Sequence, residues 1–381
     1  MQKQIVEEIV HGNYVISETK PLIISAIGAI PKPNSSDVRI IHDCSRPVGG
    51  SVNSFASCDP LKYQTLDEAV KMSTPQCYYA KLDLKSAYRS VNIHPDNFQL
   101  TGLQWCFDNK ESVYMYDTKL PFGARKSPGI FNRLTQSVRR MMFKRGFKNV
   151  IAYLDDFLIV SPSKEECREG LSTLIFLLRR LGFRINWKKV EDPCKIITFL
   201  GIELNSTDQT LRLPEDKLTE TKHIINEFAE RSRASKRQLQ SLAGKLNWAC
   251  QVVRGGRSYL RRILDNINHL KQPGHKIKLS NAFKADIQWW QQFLKVFNGK
   301  TMFIKHSMIN TVQVDACNMG SGICYQSDWM YTNWLLDLPD LAKCHINLKE
   351  AISVVLAARR WAPLWGNSTV YIYSDSQCRS T

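Results

Sequence analysis

Ile151-Ala152-Tyr153-Leu154-Asp155-Asp156-Phe157-Leu158-Ile159-Val160 places two apolar, β-branched-rich segments on either side of two adjacent carboxylates. Segments of this composition favour strands, so the stretch predicts a β-hairpin with Asp155-Asp156 at its turn. Acidic residues are poor strand formers and a neighbouring pair repels itself. A hairpin that keeps both acids at its tip points to a cation held by hard oxygen ligands, Mg²⁺ foremost. The alternative is a solvated turn, and an Asp-Asp pair alone does not separate the two. A third carboxylate does. Cys77-Tyr78-Tyr79-Ala80-Lys81-Leu82-Asp83 reads as an aromatic strand that delivers Asp83, after which the chain turns toward Ser86-Ala87-Tyr88. A buried Asp at a strand end needs a partner. Asp83 on a strand beside the hairpin would converge three carboxylates, an arrangement that holds two divalent ions for in-line displacement at phosphorus.

The rest of the chain supplies a polyanion surface. Its 381 residues carry 52 Lys and Arg against 35 Asp and Glu, a formal charge of +17. That excess makes nucleic acid the first candidate partner. The length suggests two or three domains, and a hydrophobic fraction of 43% suffices for a core. Eleven dispersed cysteines without a C-x-x-C pair are expected to be free thiols in a reducing compartment, and an intracellular location follows. The apolar run Pro21 to Pro31 is too short to span a bilayer, so no membrane partner is expected.

Residues 1–20 read as a helical or irregular lead-in. Ala29 to Asp43 reads as strand, polar turn, strand, with Lys32 and Arg39 on opposite arms. Those cations either clamp a triphosphate or are solvated. Arg46 to Asn53 is a Gly-rich turn without phosphate-loop spacing, and Leu66 to Met72 a short helix. Leu120 to Asn132 is a Gly/Pro-rich loop entering a basic helix. Ser163 to Gly182 is an amphipathic helix with a glycine stop. Thr198 to Leu204 reads as one arm of another hairpin. From Arg231 to Arg262 there are nine Lys/Arg and no acid. There Gln240, Gly244 and Trp248 recur every four residues and share a helix face suited to a nucleic-acid groove, with Trp248 as plain core the alternative. A helix carrying Trp289-Trp290 follows. A last unit sets Asp315 on a strand, Glu350 on a helix (Asn347 to Trp361) and Asp375 at the end of the strand Val370 to Ser374, a second constellation of the two-metal kind.

The motifs, in this order, resemble a retroelement reverse transcriptase joined to a ribonuclease H. Tyr153-Leu154-Asp155-Asp156 is similar to that family's Y-x-D-D box, and Lys81-Leu82-Asp83-Leu84 to its first catalytic motif. Leu120-Pro121-Phe122-Gly123 with Ser127-Pro128 resembles its template-side loop, and Phe199-Leu200-Gly201 its primer grip. Ser241 to Ala249 resembles the retroviral thumb helix. Trp289-Trp290 and Arg46 to Asn53 look more like tyrosine-recombinase (DIRS-type) elements than gypsy-type ones. The resemblance implies an α/β (α+β) right hand, with fingers and palm over 21–205, thumb and helical connection over 206–305, and a partial RNase H-like domain over 306–381.

It also implies roles. Asp83, Asp155 and Asp156 would hold two Mg²⁺ ions (Mn²⁺ as substitute), assisted by the Leu84 carbonyl. Lys32 and Arg39 would grip the phosphates of the incoming dNTP, and Tyr88 would lie under its sugar as a steric gate. Phe122 would line the nucleotide site where retroviral enzymes carry a Gln. Lys189 would protonate pyrophosphate. Phe199, Leu200, Gly201, Gln240, Gly244 and Trp248 would contact an RNA or DNA template and its primer. Asp315, Glu350 and Asp375 match three of four ribonuclease H carboxylates. The fourth is expected beyond Thr381, making the chain a polyprotein fragment or truncated copy with little RNase H activity. A non-catalytic nucleic-acid-binding relic and a hybrid-cleaving ribonuclease are the rival readings.

Overall fold

The computed structural model describes residues 1–31, 38–57, 60–108, 112–253, 255–297, 300–302, 307–366 and 368–375. The chain divides into two compact units, Met1–Phe303 and Ile304–Thr381. Among the described residues, no helix is long and apolar enough to cross a membrane.

In the larger unit a fingers sheet runs in the order Tyr14–Ser17, Ser112–Asp117, Gly102–Cys106, Ile24–Pro31, Val38–Asp43. The lead-in therefore belongs to the fold: helix Gln2–Val10 precedes a strand whose four residues pair with Ser112–Asp117. Buried Asp117 anchors that strand, accepting from Arg89 at 2.6 and 2.8 Å, while Arg89 also reaches Glu8 at 3.2 Å. The expected 29–43 hairpin forms, with Ile30 opposite Arg39. Lys32 lies outside the described residues, so its clamp role with Arg39 has no geometry here.

The palm sheet is antiparallel throughout, in the order Val150–Tyr153, Asp156–Ser161, Tyr78–Asp83, Glu191–Cys194. Both faces are covered, which is why its strands read as nearly unbroken apolar runs. Val150, Ala152, Phe157, Ile159, Ala80 and Leu82 face one core with the helices Ser127–Lys144 and Lys164–Arg180. Ile151, Leu158, Val160 and Tyr79 face the other. Strand side chains alternate, so one sheet serves two cores. Helix Lys164–Arg180 starts on Ser163, whose hydroxyl accepts from the Glu166 N–H, and stops before Gly182 at φ +83°.

The expected single arm Thr198–Leu204 is instead two arms and their turn. Ile196–Phe199 pairs with Ile202–Asn205, and Leu200 (φ +50°) and Gly201 (φ +81°) make the reversal. Beyond this hairpin stand four helices, Glu215–Glu230, Lys236–Ala249, Arg261–His269 and Asn281–Phe297. The second opens on a capping box of Ser235 and Gln238.

The smaller unit is a four-stranded sheet of Asp328–Asn333, Gly320–Tyr325, Ser307–Ala316 and Ser368–Tyr373, the last pair parallel. Helix Ile346–Trp361 covers it, with Ala357 and Trp361 in one cluster with Val312, Val314 and Ile323. The final strand ends at Tyr373, so Asp375 follows it rather than ending it.

Candidate active site

Backbone register brings the first acid set together. Asp83 and Asp156 are direct cross-strand partners, and the Leu84 N–H donates to the Asp155 carbonyl at 3.0 Å. The hairpin's turn is Leu154-Asp155 rather than Asp155-Asp156, because Tyr153 already pairs with Asp156. Leu154 takes φ +51°. A branched residue rarely adopts that conformation, and such strain persists where surrounding structure enforces it, often at functional sites.

Like charges directly opposite one another on neighbouring strands are destabilising. The chain answers in part with cations and donors. Asp83, 4% exposed, accepts from the Lys189 ammonium at 2.9 Å and from the Asn186 amide at 2.8 Å. The Asn186 N–H also donates to the Asp83 carbonyl at 2.9 Å, fixing the Lys189 turn against the strand. The Asp83 hydrogen bond is the main cause holding the Lys189 pKa above its usual value. Asp156 is not neutralised. Burial first, then Asp155 and Asp83, push its carboxyl up to about 6, against opposing pulls from Lys189 and Lys81. Three carboxylates, one with its charge disfavoured, form a hard-oxygen donor set that fits a divalent ion. The Asp83–Lys189 ion pair occupies one of the acids.

Tyr88 and Phe122, both read as nucleotide-side residues, meet each other at 5.3 Å between ring centroids, with Phe131 on the other side of Tyr88 at 5.4 Å. Phe122 is 40% exposed. Burial first, then Tyr63 and Asp155, raise the Tyr88 phenol to about 12, so it is neutral and lies within electrostatic reach of the acids. The loop under it is fixed by contacts that sequence reasoning missed. The His42 N–H donates to the Phe122 carbonyl at 3.0 Å. The Asn53 amide donates to the Gly123 carbonyl at 3.0 Å and its oxygen accepts from the Arg125 N–H at 2.7 Å. Gly123 has φ +142°, and a Cβ there would lie 2.0 Å from the His42 carbonyl oxygen. No other residue fits.

On the primer side, Phe199 is 1% exposed and part of the core, so it anchors the grip instead of touching a ligand. The turn Leu200-Gly201 is the part of this hairpin that reaches the surface. Gly201 is exposed, and a Cβ on it would sit 3.1 Å from Nε1 of Trp248. The grip turn and the thumb helix are thus adjacent at Trp248. Gln240 and Gly244 are exposed on the same helix, Trp248 is half-buried, and Leu239, Leu242 and Leu246 face the core. Trp248 packs its partly buried ring against that core while bordering Gly201.

The second acid set lies in the smaller unit. Ligand oxygens of Asp315, Glu350 and Asp375 all come within 4.8 Å of one another, with Glu350 buried and both Asp exposed. Glu350 accepts from the Ala316 N–H at 2.9 Å and the Ser374 hydroxyl at 3.0 Å.

Three comparisons bear on this geometry. Residues 30–204 match the family model of the reverse transcriptase (RNA-dependent DNA polymerase). The Gag-Pol polyprotein of woolly monkey sarcoma virus is 28% identical over 174 residues, 45% of this chain and 10% of that polyprotein. The putative enzymatic polyprotein of cassava vein mosaic virus is 26% identical over 272 residues, 68% of this chain and 37% of its own length. The chain thus spans only a fraction of these relatives. Among solved structures, a foamy viral protease–reverse transcriptase with an RNA/DNA hybrid superposes over 98% of this chain and 48% of that one, with a TM-score of 0.65 at 17% identity. A second, with double-stranded DNA, covers 99% and 74% with a TM-score of 0.64 at 18% identity. At that identity the likeness establishes the fold.

Proposed function

We propose, from the match of residues 30–204 to the reverse transcriptase family model, that this chain is an RNA-directed DNA polymerase of a retroelement. It adds dNTPs to a primer 3′-hydroxyl on an RNA or DNA template, using two Mg²⁺ ions, with Mn²⁺ as substitute. The observation that carries the reading is the cross-strand pairing of Asp83 with Asp156 beside the Asp155 turn. Asp83, Asp155 and Asp156 would hold the ions, with the Leu84 carbonyl assisting. When bound, the ions acidify the 3′-hydroxyl and offset charge on the departing pyrophosphate.

The chain's own residues do the rest. Lys189, protonated and 61% exposed, stands on Asp83 within reach of a leaving group and supplies the proton it needs. The Tyr88 ring, wedged between Phe122 and Phe131, presents a fixed wall to the sugar and excludes a 2′-hydroxyl by contact. The Leu200-Gly201 turn, exposed at Gly201, and the Gln240, Gly244, Trp248 face receive the duplex. The excess of Lys and Arg makes that affinity fall steeply with salt.

Primer extension on an RNA template with Mg²⁺, comparing the chain with Asp155→Asn, tests the proposal. Extension is expected from the former only, with duplex binding in both. No extension from the unmodified chain with either Mg²⁺ or Mn²⁺ would leave the binding-relic reading standing. The gathered Asp315, Glu350, Asp375 set favours a second activity, ion-dependent cleavage of an RNA/DNA hybrid. Release of labelled RNA fragments decides it.

A further inference from the structure

Val150–Tyr153, the strand that leads into the acidic turn, is an edge strand. Its register sets Tyr153 opposite Asp156 and Ile151 opposite Leu158, and the Val160 N–H donates to the Asn149 carbonyl at 2.9 Å. In such a hairpin the alternate residues, Val150 and Ala152, turn their N–H and C=O groups outward. Unpaired edge groups invite another strand or let the edge shift. Here side chains fill three of these four groups. The Ala152 N–H donates to Gln64 Oε1 at 2.8 Å. The Ala152 carbonyl accepts from Gln136 Nε2 at 3.0 Å, and the Val150 carbonyl from Arg139 Nε at 2.9 Å. The clamp is closed on itself: Gln136 also donates to Gln64 at 3.4 Å, Arg139 to Gln136 at 3.3 Å, and Gln64 to Glu68 at 2.7 Å. Gln64 is 6% exposed, and the ring of its neighbour Tyr63 packs, tilted by 50°, against Tyr153 at 5.4 Å between centroids.

We propose that Gln64 and Gln136 are positioning residues that fix the height of the Leu154-Asp155 turn, and with it Asp155 and Asp156, by serving as a substitute strand along the outer edge of 150–153. This rests on the polymerase reading for its consequence, not for its geometry. The two amides have opposite tasks. Gln64 offers an acceptor to an N–H, and Gln136 a donor to a C=O. The same substitution must then act differently at the two sites. Displacing a catalytic group by about 1 Å can cost on the order of 10²-fold in rate. Gln136→Glu sets a carboxylate against the Ala152 carbonyl and is expected to lower kcat for extension by about that factor. It is also expected to raise the Mg²⁺ concentration for half-maximal rate, while duplex affinity stays level. Gln64→Glu with Glu68→Gln exchanges donor and acceptor within the 64–68 pair and keeps the acceptor for Ala152. That double variant is expected within about threefold of the parent, whereas Gln64→Met should resemble Gln136→Glu.

Amide exchange at Ala152 reads the clamp without any activity. The amide should be protected in the parent and in the exchanged pair, and fast in Gln64→Met. Fast exchange in the parent, or an exchanged pair as impaired as Gln64→Met, overturns the proposal. A protected Ala152 in a chain that never extends a primer leaves the clamp intact and removes the polymerase reading instead.

Discussion

Two acid sets in one chain face the same electrostatic problem and meet it in opposite ways. In the palm, strand register fixes the acids: Asp83 opposite Asp156, with Asp83 buried and held by Lys189 and Asn186. In the smaller unit, the oxygens of Asp315, Glu350 and Asp375 lie within 4.8 Å of one another, with two of the three exposed. Water screens exposed charges, so the second set can cluster without an ion. Buried Asp83 is held by a lysine instead.

The largest expected effect breaks the two sets apart by function. Asp155→Asn should lower extension by about 10³-fold or more, the scale of several kcal/mol of charge stabilisation. It should leave hybrid cleavage unaltered. Glu350→Gln should do the reverse, leaving extension within about twofold and abolishing any hybrid cleavage. Extension and cleavage assays on the same preparations check this. A loss of extension in Glu350→Gln would mean that the sets are not independent.

Stability sharpens the contrast further. The Asp156 carboxyl sits at about 6 against an ordinary 3.8. A carboxyl whose pKa is higher folded than unfolded holds its proton more tightly in the native state. Its charge penalty is absent below the lower value and complete above the upper one. Metal-free stability should thus fall as pH rises between them. Asp156→Asn should then stabilise the metal-free chain at pH 7, by on the order of 1–3 kcal/mol, and leave it unchanged near pH 3.8. Glu350→Gln should instead cost about 1 kcal/mol, because the Ser374 hydroxyl loses a carboxylate acceptor. Thermal melts in a chelator at both pH values test the opposite signs. Equal signs would place the two acids in the same electrostatic class.

What could be read in advance follows from how local each feature is. Asp83, Asp155, Asp156 and the apolar runs that carry them are contiguous signals, whereas the register that sets Asp83 opposite Asp156 was not readable from unbroken apolar runs. The acids of the smaller unit were legible for the same reason, each lying on or just beyond a periodic element. Leu154 in the turn was not, since leucine carries no signal for positive φ. The hairpin at 196–205 was blurred because Leu200 continues the apolar run, although Gly201 marked the tip. Asn186 had a faint trace, three residues before Lys189. Gln64, Gln136 and Asn53 had none. They satisfy backbone groups 88, 16 and 70 residues away, and such contacts leave no period in a sequence.

The smallest effect concerns delivery, the remaining difference between the two sets. The palm acids share their unit with the surface proposed to receive a duplex, the Leu200-Gly201 turn against Trp248 and the face of Gln240 and Gly244. Gly244 isolates that role. It is exposed mid-helix, and a Cβ added there meets nothing within 4 Å. In the free chain Gly244→Ala should therefore stabilise by about 0.5–1 kcal/mol, since alanine loses less backbone entropy than glycine in a helix. With primer-template bound, the same methyl intrudes on the duplex, and affinity should drop by about 3- to 10-fold, the scale of one lost close contact. A raised melting temperature with weakened binding requires a duplex at that face. A raised melting temperature with unchanged binding removes the helix from the nucleic-acid path, and the palm acids would then need another route to their primer.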